Sequence, residues 1–364
     1  MMGWLGQRLD AFRGRGASAA TVPPMDGALR PNTSLDTARV VLKAEQPDNL
    51  VLSNGAVLFS SGADVLRLDP SAGTSSLVRR FEAPVSCLAA GEGDLIAAGL
   101  EDGSIRVFRH SQDIVTLAVA GAKRPSCPVA MTFRNPATLI VCQGSVGNSP
   151  GHWKRDLMQR GSTGAVWQVS VSDGASRQLA SGLGFPYGVV ASGDDLIVTE
   201  SWRHRVLRLA GTGAAVPVLA DLPGYPARIV EAASGGYWLS VFAPRSQLIE
   251  FILRERGYCE RMMREIEPDH WLAPALSPPK NFLEPMQGGA LRMHSILKPW
   301  APTRSYGLLI RLDERFRPLA SYHSRTDGAR HGVTSCLDLG SRVLAASKGG
   351  NAILELPPGG DASP

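Results

Sequence analysis

In the stretch LPGYPARIVEAASGGYWLSV (222–241), Arg228 stands where a Pro-Gly turn gives way to an apolar β run. A guanidinium presents a rigid fork of donors that matches a carboxylate or a phosphate. Its place at the mouth of a segment written for burial therefore points either to anion recognition or to an ion pair that closes the interior. His331, in HGVTSC (331–336), carries an imidazole that titrates near neutrality and suits base work, although a turn histidine is the commoner reading. In SWRHRV (201–206) strand alternation puts Arg203 and Arg205 on one face and His204 on the other, the pattern of a solvated edge. No phosphate-binding P-loop, dinucleotide fingerprint, nucleophile elbow or HExxH zinc motif is present, and Gly-rich pieces such as GEGD read as hairpin turns.

The elements that must position these residues are β-strands. Hydrophobic residues make up 44% and charged residues 20%, ordinary globular usage, while 39 Gly and 26 Pro suit a turn-rich β protein better than a helical one. The net charge of +5 comes from 38 basic residues scattered among 33 acidic ones, and acids and apolar residues interrupt every basic run, which argues against nucleic acid as a partner. Five cysteines at irregular spacing include no CxxC pair, and four lie in apolar runs as small buried hydrophobes. No apolar run approaches the ~20 residues of a membrane helix, and the start lacks a signal-peptide stretch, so the expectation is a soluble cytoplasmic protein.

A unit of short strand, Gly/Asp/Asn turn, second strand and third strand recurs at 49–69, 86–110, 188–209, 228–251 and 333–356. A sixth copy begins at 128–145 and resumes at 163–171. Six such units predict an all-β fold, a six-bladed β-propeller closed by its terminal strands, in which each blade buries its faces against its neighbours. The expected boundaries are a flexible lead-in over 1–38 with one short helix at GWLGQRLDAF, a propeller over 39–357 and a tail over 358–364. Insertions are expected at 146–162, in blade three, and at 257–306, where a basic helical pattern interrupts blade five. Such insertions map to loops on a rim face and either build a binding site or pack as decoration. The first carries His152, Trp153, Lys154, Arg155 and Asp156, a ligand-contacting set or a salt-bridged cap.

GLGFPYGVVASGDDLIVTESWRHRVLRL, LPGYPARIVEAASGGYWLSV, HWKRDLMQRGSTGAVWQV and YGLLIRLDERFRPLASYHSRTDGARHGVTSCLDLGSRVLAAS carry a resemblance to the strictosidine synthase-like group of six-bladed propellers. Its relatives include adipocyte plasma membrane-associated protein, the gluconolactonase and regucalcin lactonases, and the paraoxonases. The resemblance runs from about residue 40 to 356 and implies a site where the inner strands open on the central tunnel. The lactonase members hold calcium or another divalent ion there with oxygen ligands. Here the blade-one carboxylate falls on Asp48, or on Glu45 in the other register, so one acidic ligand survives. The remaining ligand positions fall on Cys127 and Pro128 in blade three, Tyr187 in blade four, and Ala227 and Arg228 in blade five. A fixed guanidinium repels a divalent cation a few ångströms away, so no cofactor is expected, with a divalent ion at Asp48 or Glu45 the exception that the resemblance allows. Arg228 is then free to replace the ion and pair with Asp48.

The resemblance implies a small-molecule hydrolase acting on a lactone or ester. Asp48, Tyr187, Thr334 and His331 are the candidate catalytic residues; Arg228, Tyr187 and Trp153 are the candidate substrate contacts. Tyr187 would hydrogen-bond the carbonyl or its oxyanion, Arg228 would anchor an anionic group, and a carboxylate or His331 would activate water. A rival reading is a propeller that binds an acidic metabolite or a protein partner without turning it over. Amine–aldehyde condensation of the strictosidine synthase kind is weaker, because Thr334 occupies the position of that enzyme's catalytic glutamate. Glu200 matches a frequent family glutamate and reads as structural. No transmembrane segment is expected, and peripheral membrane contact by the basic helix near Arg261 is neither indicated nor excluded by the sequence.

Overall fold

The short alternating runs fold as hairpins because the residues between them accept left-handed backbone. Asn54 and Gly55, with φ of 45° and 76°, form the two-residue turn between Asp48–Ser53 and Ala56–Ser61, the geometry that matches strand twist. The computed structural model describes residues 22–109, 112–117, 125–211, 215–285, 287 and 303–357. The helix expected near the N-terminus and the expected tail lie outside these residues.

Six four-stranded antiparallel sheets form the six blades of a β-propeller. Their inner strands are Asp48–Ser53, Val85–Ala90, Pro128–Asn135, Pro186–Ser192, Gly224–Glu231 and Val333–Asp338, blades one to six in chain order. In blades one to five the strands are adjacent in sequence order. Blade six takes its outer strand from the start of the fold: Arg39–Lys43 pairs antiparallel with Ala352–Leu356 and closes the ring. The core lies between blades; Cys87, Ala97 and Val107 of blade two, for example, pack with Met131, Leu139 and Val141 of blade three. All five cysteines are buried and free.

Two boundaries differ from the sequence expectation. The second half of the expected lead-in is ordered by tertiary contacts. Helix α1 (Ser34–Thr37) buries Leu35 completely, and Asn32 and Asp36 hydrogen-bond to the Ser321–Ala329 region at the edge of blade five. The blade-three insertion contains a short helix, α2 (Trp153–Met158), where the sequence predicts a loop. The blade-five insertion starts earlier than residue 257, because RSQLIEF, read as strand, forms α3 (Gln247–Ile252). Ser246 caps this helix by accepting from the Ile249 N–H, and Ile249, Ile252 and Leu253 are buried at helical spacing. Helix α4 (Arg256–Glu265) follows and buries Cys259 and Met262. No helix among the described residues is long and apolar enough to cross a membrane.

Asp36 Oδ1 accepts from Ser324 Oγ at 2.8 Å and from the Ala329 N–H at 2.9 Å. Asp36→Ala leaves both donors without their acceptor at about 1–3 kcal/mol; calorimetry should show a lowered thermal midpoint, whereas an unchanged midpoint would mean that this segment does not brace the fold.

Candidate functional site at the tunnel hub

Each inner strand breaks register with its neighbour just after it leaves the tunnel mouth. The irregularities fall between Asp48 and Val51, Val85 and Cys87, Pro128 and Ala130, Pro186 and Gly188, Pro226 and Ile229, and Val333 and Ser335. A bulge leaves its extra residue outside the ladder and re-aims it. The released residues include Ser86, Val129, Tyr187, Arg228 and Thr334, one from each of blades two to six, and it is these that meet at the hub.

Arg228 is the centre of that meeting. Its Nη1 lies 3.0 Å from Asp48 Oδ1 and donates to the Thr334 carbonyl at 3.4 Å. Its Nη2 donates to the Ser86 carbonyl at 2.9 Å and the Val129 carbonyl at 3.4 Å. The guanidinium carbon also lies 5.0 Å from the centroid of the Tyr187 ring. One side chain of blade five therefore touches all five other blades.

Asp48 is equally committed. Its Oδ1 also accepts from Thr334 Oγ1 at 2.8 Å and from the Asn49 N–H at 2.8 Å, and its Oδ2 accepts from Lys348 Nζ at 3.1 Å. The carboxylate is 3% exposed, against 11% for the Arg228 side chain and 24% for that of Lys348. Burial alone would raise the Asp48 pKa; the Arg228 and Lys348 charges and the Thr334 hydroxyl outweigh it, and the carboxyl is held below its usual range. Burial likewise opposes the charge on Arg228 and Lys348, and in both the Asp48 carboxylate prevails and raises the pKa.

The structure thus brings Asp48, Tyr187, Arg228 and Thr334 together. Glu45 is exposed, with its carbonyl accepting from Ser61 Oγ, which fixes the blade-one register on Asp48. His331, expected at the tunnel rim, is instead fully buried. Its Nδ1 lies 2.8 Å from Ser305 Oγ and its Nε2 2.7 Å from the Arg325 carbonyl, so both ring nitrogens are committed, and burial lowers its pKa. Blade three reaches the axis through the Val129 carbonyl; Cys127 is buried with φ of 50°. The expected solvated edge at SWRHRV is also different. Ser201–Arg203 is a 3-10 turn, His204 is buried in left-handed backbone, and Arg203 and Arg205 both pair with the buried carboxylate of Glu200.

Sequence reasoning missed Lys348. It follows the second strand of blade six in RVLAASKGG, and the available signal was a lone ammonium directly after the apolar run Val343–Ser347.

The hub does not fit the divalent ion that the fold family implies. Its single carboxylate is already shared by two cations, and a hard cation wants roughly six to eight oxygens. Asn49 Oδ1 is a buried oxygen without a donor, yet one neutral ligand beside two positive charges does not form a cage. Among the described residues no three His, Cys, Asp or Glu side chains cluster in a way that would hold a metal.

A cleft of about 480 Å3 is walled by both insertions and takes in Gln46, two residues before Asp48; Arg228 lines a separate cavity of about 210 Å3 with Asn49 and Ser335. Trp153, Lys154, Arg155, Trp271 and Lys280 line the larger cleft, together with Leu276. A Cβ on Gly349, the neighbour of Lys348, would collide with the Leu276 carbonyl oxygen, so the cleft wall rests on the turn that carries the ammonium. On another side an aromatic stack leads down from cleft to hub: Trp153 to Phe242 at 5.3 Å, Phe242 to Tyr187 at 5.7 Å, and Tyr187 to Arg228.

No family model matches the sequence. Adipocyte plasma membrane-associated protein of Bos taurus is 24% identical over 274 residues, 66% of this chain and 66% of that protein, and its Homo sapiens counterpart is 24% identical over 274 residues, 66% and 65%. The match takes in just under two thirds of those relatives' length. Among solved structures, a gluconolactonase from Xanthomonas campestris superposes with a TM-score of 0.56 at 13% identity, over 92% of this chain and 96% of that one. The calcium-binding protein regucalcin from Agrobacterium tumefaciens gives 0.50 at 13% identity, over 92% and 95%. The chain is thus similar in sequence to adipocyte plasma membrane-associated protein and in fold to the gluconolactonase and regucalcin propellers. The structural likeness, at these identities, is one of fold.

Asp48→Asn leaves two buried cations without their counter-charge, a loss of about 3–5 kcal/mol, and should destabilise more than Arg228→Met, which leaves Asp48 its Lys348 and Thr334 partners. The sign with pH follows from the depressed Asp48 pKa: its contribution is complete above the unfolded carboxyl value, near 4, and is lost as pH falls through the lower folded value. Denaturant titrations below pH 5 should therefore show stability falling less steeply in Asp48→Asn than in wild type; equal slopes would remove Asp48 from the acid response.

Proposed function

We propose that this gluconolactonase-like propeller binds a small carboxylate-bearing molecule in the cleft between the insertions, using Lys348 and Arg228 as the anionic anchor. The observation that carries this reading is the charge count at the hub, two cations sharing one carboxylate, which leaves a positive excess in a space mostly screened from water. Lys348 spends one donor on Asp48 and, as an ammonium with three, has others to offer. In the cleft Lys154, Arg155, Lys280 and Arg304 outnumber Asp269 and Glu284, and Trp153 and Trp271 supply apolar walls for the rest of the ligand. Burial lowers the Lys154 pKa, with Asp269 at 3.8 Å opposing that shift.

Hydrolysis of a lactone or ester is the second reading, favoured by Tyr187. Its half-buried ring rests against the guanidinium, in a place from which a phenol can donate to a carbonyl oxygen. Against it stands the absence of a poised base at the hub. Asp48 is saturated with donors and held in its charged form, the Thr334 hydroxyl is spent on Asp48, and His331 is locked away from the axis. Condensation chemistry lacks a base for the same reasons. Five free buried thiols fit a reducing compartment, which supports a cytoplasmic location.

Calorimetric titration with a panel of small mono- and dicarboxylates, beside a panel of lactones and esters followed for turnover, tests both readings. A saturable carboxylate isotherm is expected, weakened at least tenfold in Lys348→Met and in Arg228→Met. Unaltered binding in both variants would dismiss the anchor, and turnover of a lactone by wild type that Tyr187→Phe abolishes would replace binding with hydrolysis.

A further inference from the structure

Lys154 is an amine whose surroundings oppose its charge. It stands at the start of α2 with its side chain 21% exposed, and it lines the cleft walled by the two insertions. Lys348, by contrast, lies 3.1 Å from the buried Asp48 carboxylate, which favours its charge, and Lys43 and Lys280 are exposed to water. The carboxylate nearest to Lys154 Nζ is that of Asp269, 3.8 Å away and beyond hydrogen-bonding reach, on a side chain that is itself 89% exposed.

A second cation beside Lys154 lacks a counter-charge. Arg304 is 1% exposed and donates from Nε to the Ala273 carbonyl at 3.0 Å, from Nη1 to the Pro285 carbonyl at 3.0 Å and from Nη2 to the Trp271 carbonyl at 3.2 Å. Carbonyl oxygens satisfy the hydrogens of a guanidinium without cancelling its charge. Burial disfavours the Lys154 ammonium and Arg304 adds to that; Asp269 and Glu284 oppose them, and the balance leaves the pKa lowered. Only an unprotonated nitrogen carries the lone pair that attacks a carbonyl carbon, and burial beside another cation is one way a lysine is made ready for it.

We propose that Lys154 is a nucleophile that forms a Schiff base with a small 2-oxo acid in this cleft, with Arg155 and Lys280 receiving the carboxylate. The inference rests on the reading of the cleft as a carboxylate site and names the ligand class. Arg155, Lys280 and Arg304 share one cleft of about 480 Å3 with the amine, so the carboxylate and the reacting carbonyl of a ligand must be close neighbours, as they are in a 2-oxo acid. The Arg155 guanidinium carbon is 5.7 Å from the Trp271 ring centroid, which holds it against the cleft wall. In the reaction the neutral amine adds to the ketone carbon, and the carbonyl oxygen then leaves as water with the two amine hydrogens. A C=N bond replaces C=O, and no oxidant or reductant is consumed. Asp269, at 3.8 Å, is placed to carry the proton between the nitrogen and the departing oxygen.

Pyruvate with sodium cyanoborohydride is the probe, applied to the full-length protein, because the hydride converts the C=N bond to a stable secondary amine that peptide mass spectrometry locates. Labelling at Lys154 is expected at least tenfold faster than at Lys43 and Lys280, and slowed by excess lactate, which has the carboxylate without the carbonyl. Lys154→Arg keeps the positive charge and should abolish the fast label, with the thermal midpoint reporting that the fold persists. Label spread evenly over the lysines, or fast labelling that persists in Lys154→Arg, would overturn the proposal. Lactate binding by calorimetry without a pyruvate label at Lys154 overturns the Schiff base alone; absence of both binding and label overturns the carboxylate reading with it.

Discussion

Everything at the centre of this propeller depends on one buried carboxylate and the donors that converge on it. Asp48 accepts from a guanidinium of blade five, an ammonium and a hydroxyl of blade six, and its own neighbour's N–H. A charge taken this far from water is tolerable only when its partners are close and its lone pairs are filled, and here both conditions hold. A propeller is otherwise held by apolar packing between adjacent blades, which fixes each blade against its neighbours but ties nothing across the tunnel. The hub adds the cross-ties. Arg228 reaches backbone or side-chain atoms of every other blade, so the geometry of the mouth is fixed by polar contacts that no pair of adjacent blades could supply alone.

Those contacts depend in turn on a backbone irregularity repeated six times. In a regular ladder, neighbouring strands would consume the inner-strand carbonyls and alternation would fix where the side chains point. The bulge at the head of each inner strand frees the Ser86, Val129 and Thr334 carbonyls to accept from Arg228 and turns Tyr187 and Arg228 toward the axis. Three neutral carbonyls directed at one point suit a cation, and the guanidinium supplies it from within the chain. This accounts for an arginine at the threshold of an apolar strand: its charge is met on all sides by blades that the sequence places as many as 180 residues away.

The fold was legible because its signals are local. Period-2 runs, Gly- and Asn-bearing turns and a sixfold recurrence are each visible within a short window, and the ring closure follows from the repeat. The hub was partly legible, through the position of Arg228 and a motif register that offered Asp48 or Glu45 as its partner. What could not be read was contact that only closure creates. Lys348 follows an ordinary apolar strand and becomes part of the hub because blade six ends beside blade one. His331 looked available because it sits in a glycine-bearing turn; the Ser305 and Arg325 groups that bind it come from the segment around the blade-five insertion. RSQLIEF was read as strand, and the Ser246 cap with the apolar pocket beneath it makes it a helix.

A guanidinium at the position where the resemblance implied a divalent ion bears on what the site can do. A divalent cation draws acceptors to itself and polarises water or a carbonyl, so a site built around one is suited to hydrolysis. A guanidinium and an ammonium that already hold a carboxylate offer directional donors and a residual positive charge, but no Lewis-acid strength, and they pin the one available base in its ionised, hydrogen-bonded form. The same interactions that make Asp48 a good structural keystone make it a poor proton acceptor, because each donor that stabilises the carboxylate lowers its basicity. Recognition of an anion needs only the charge and the directionality, both of which the hub retains. Stability and basicity are opposed at this one residue, and the geometry favours stability.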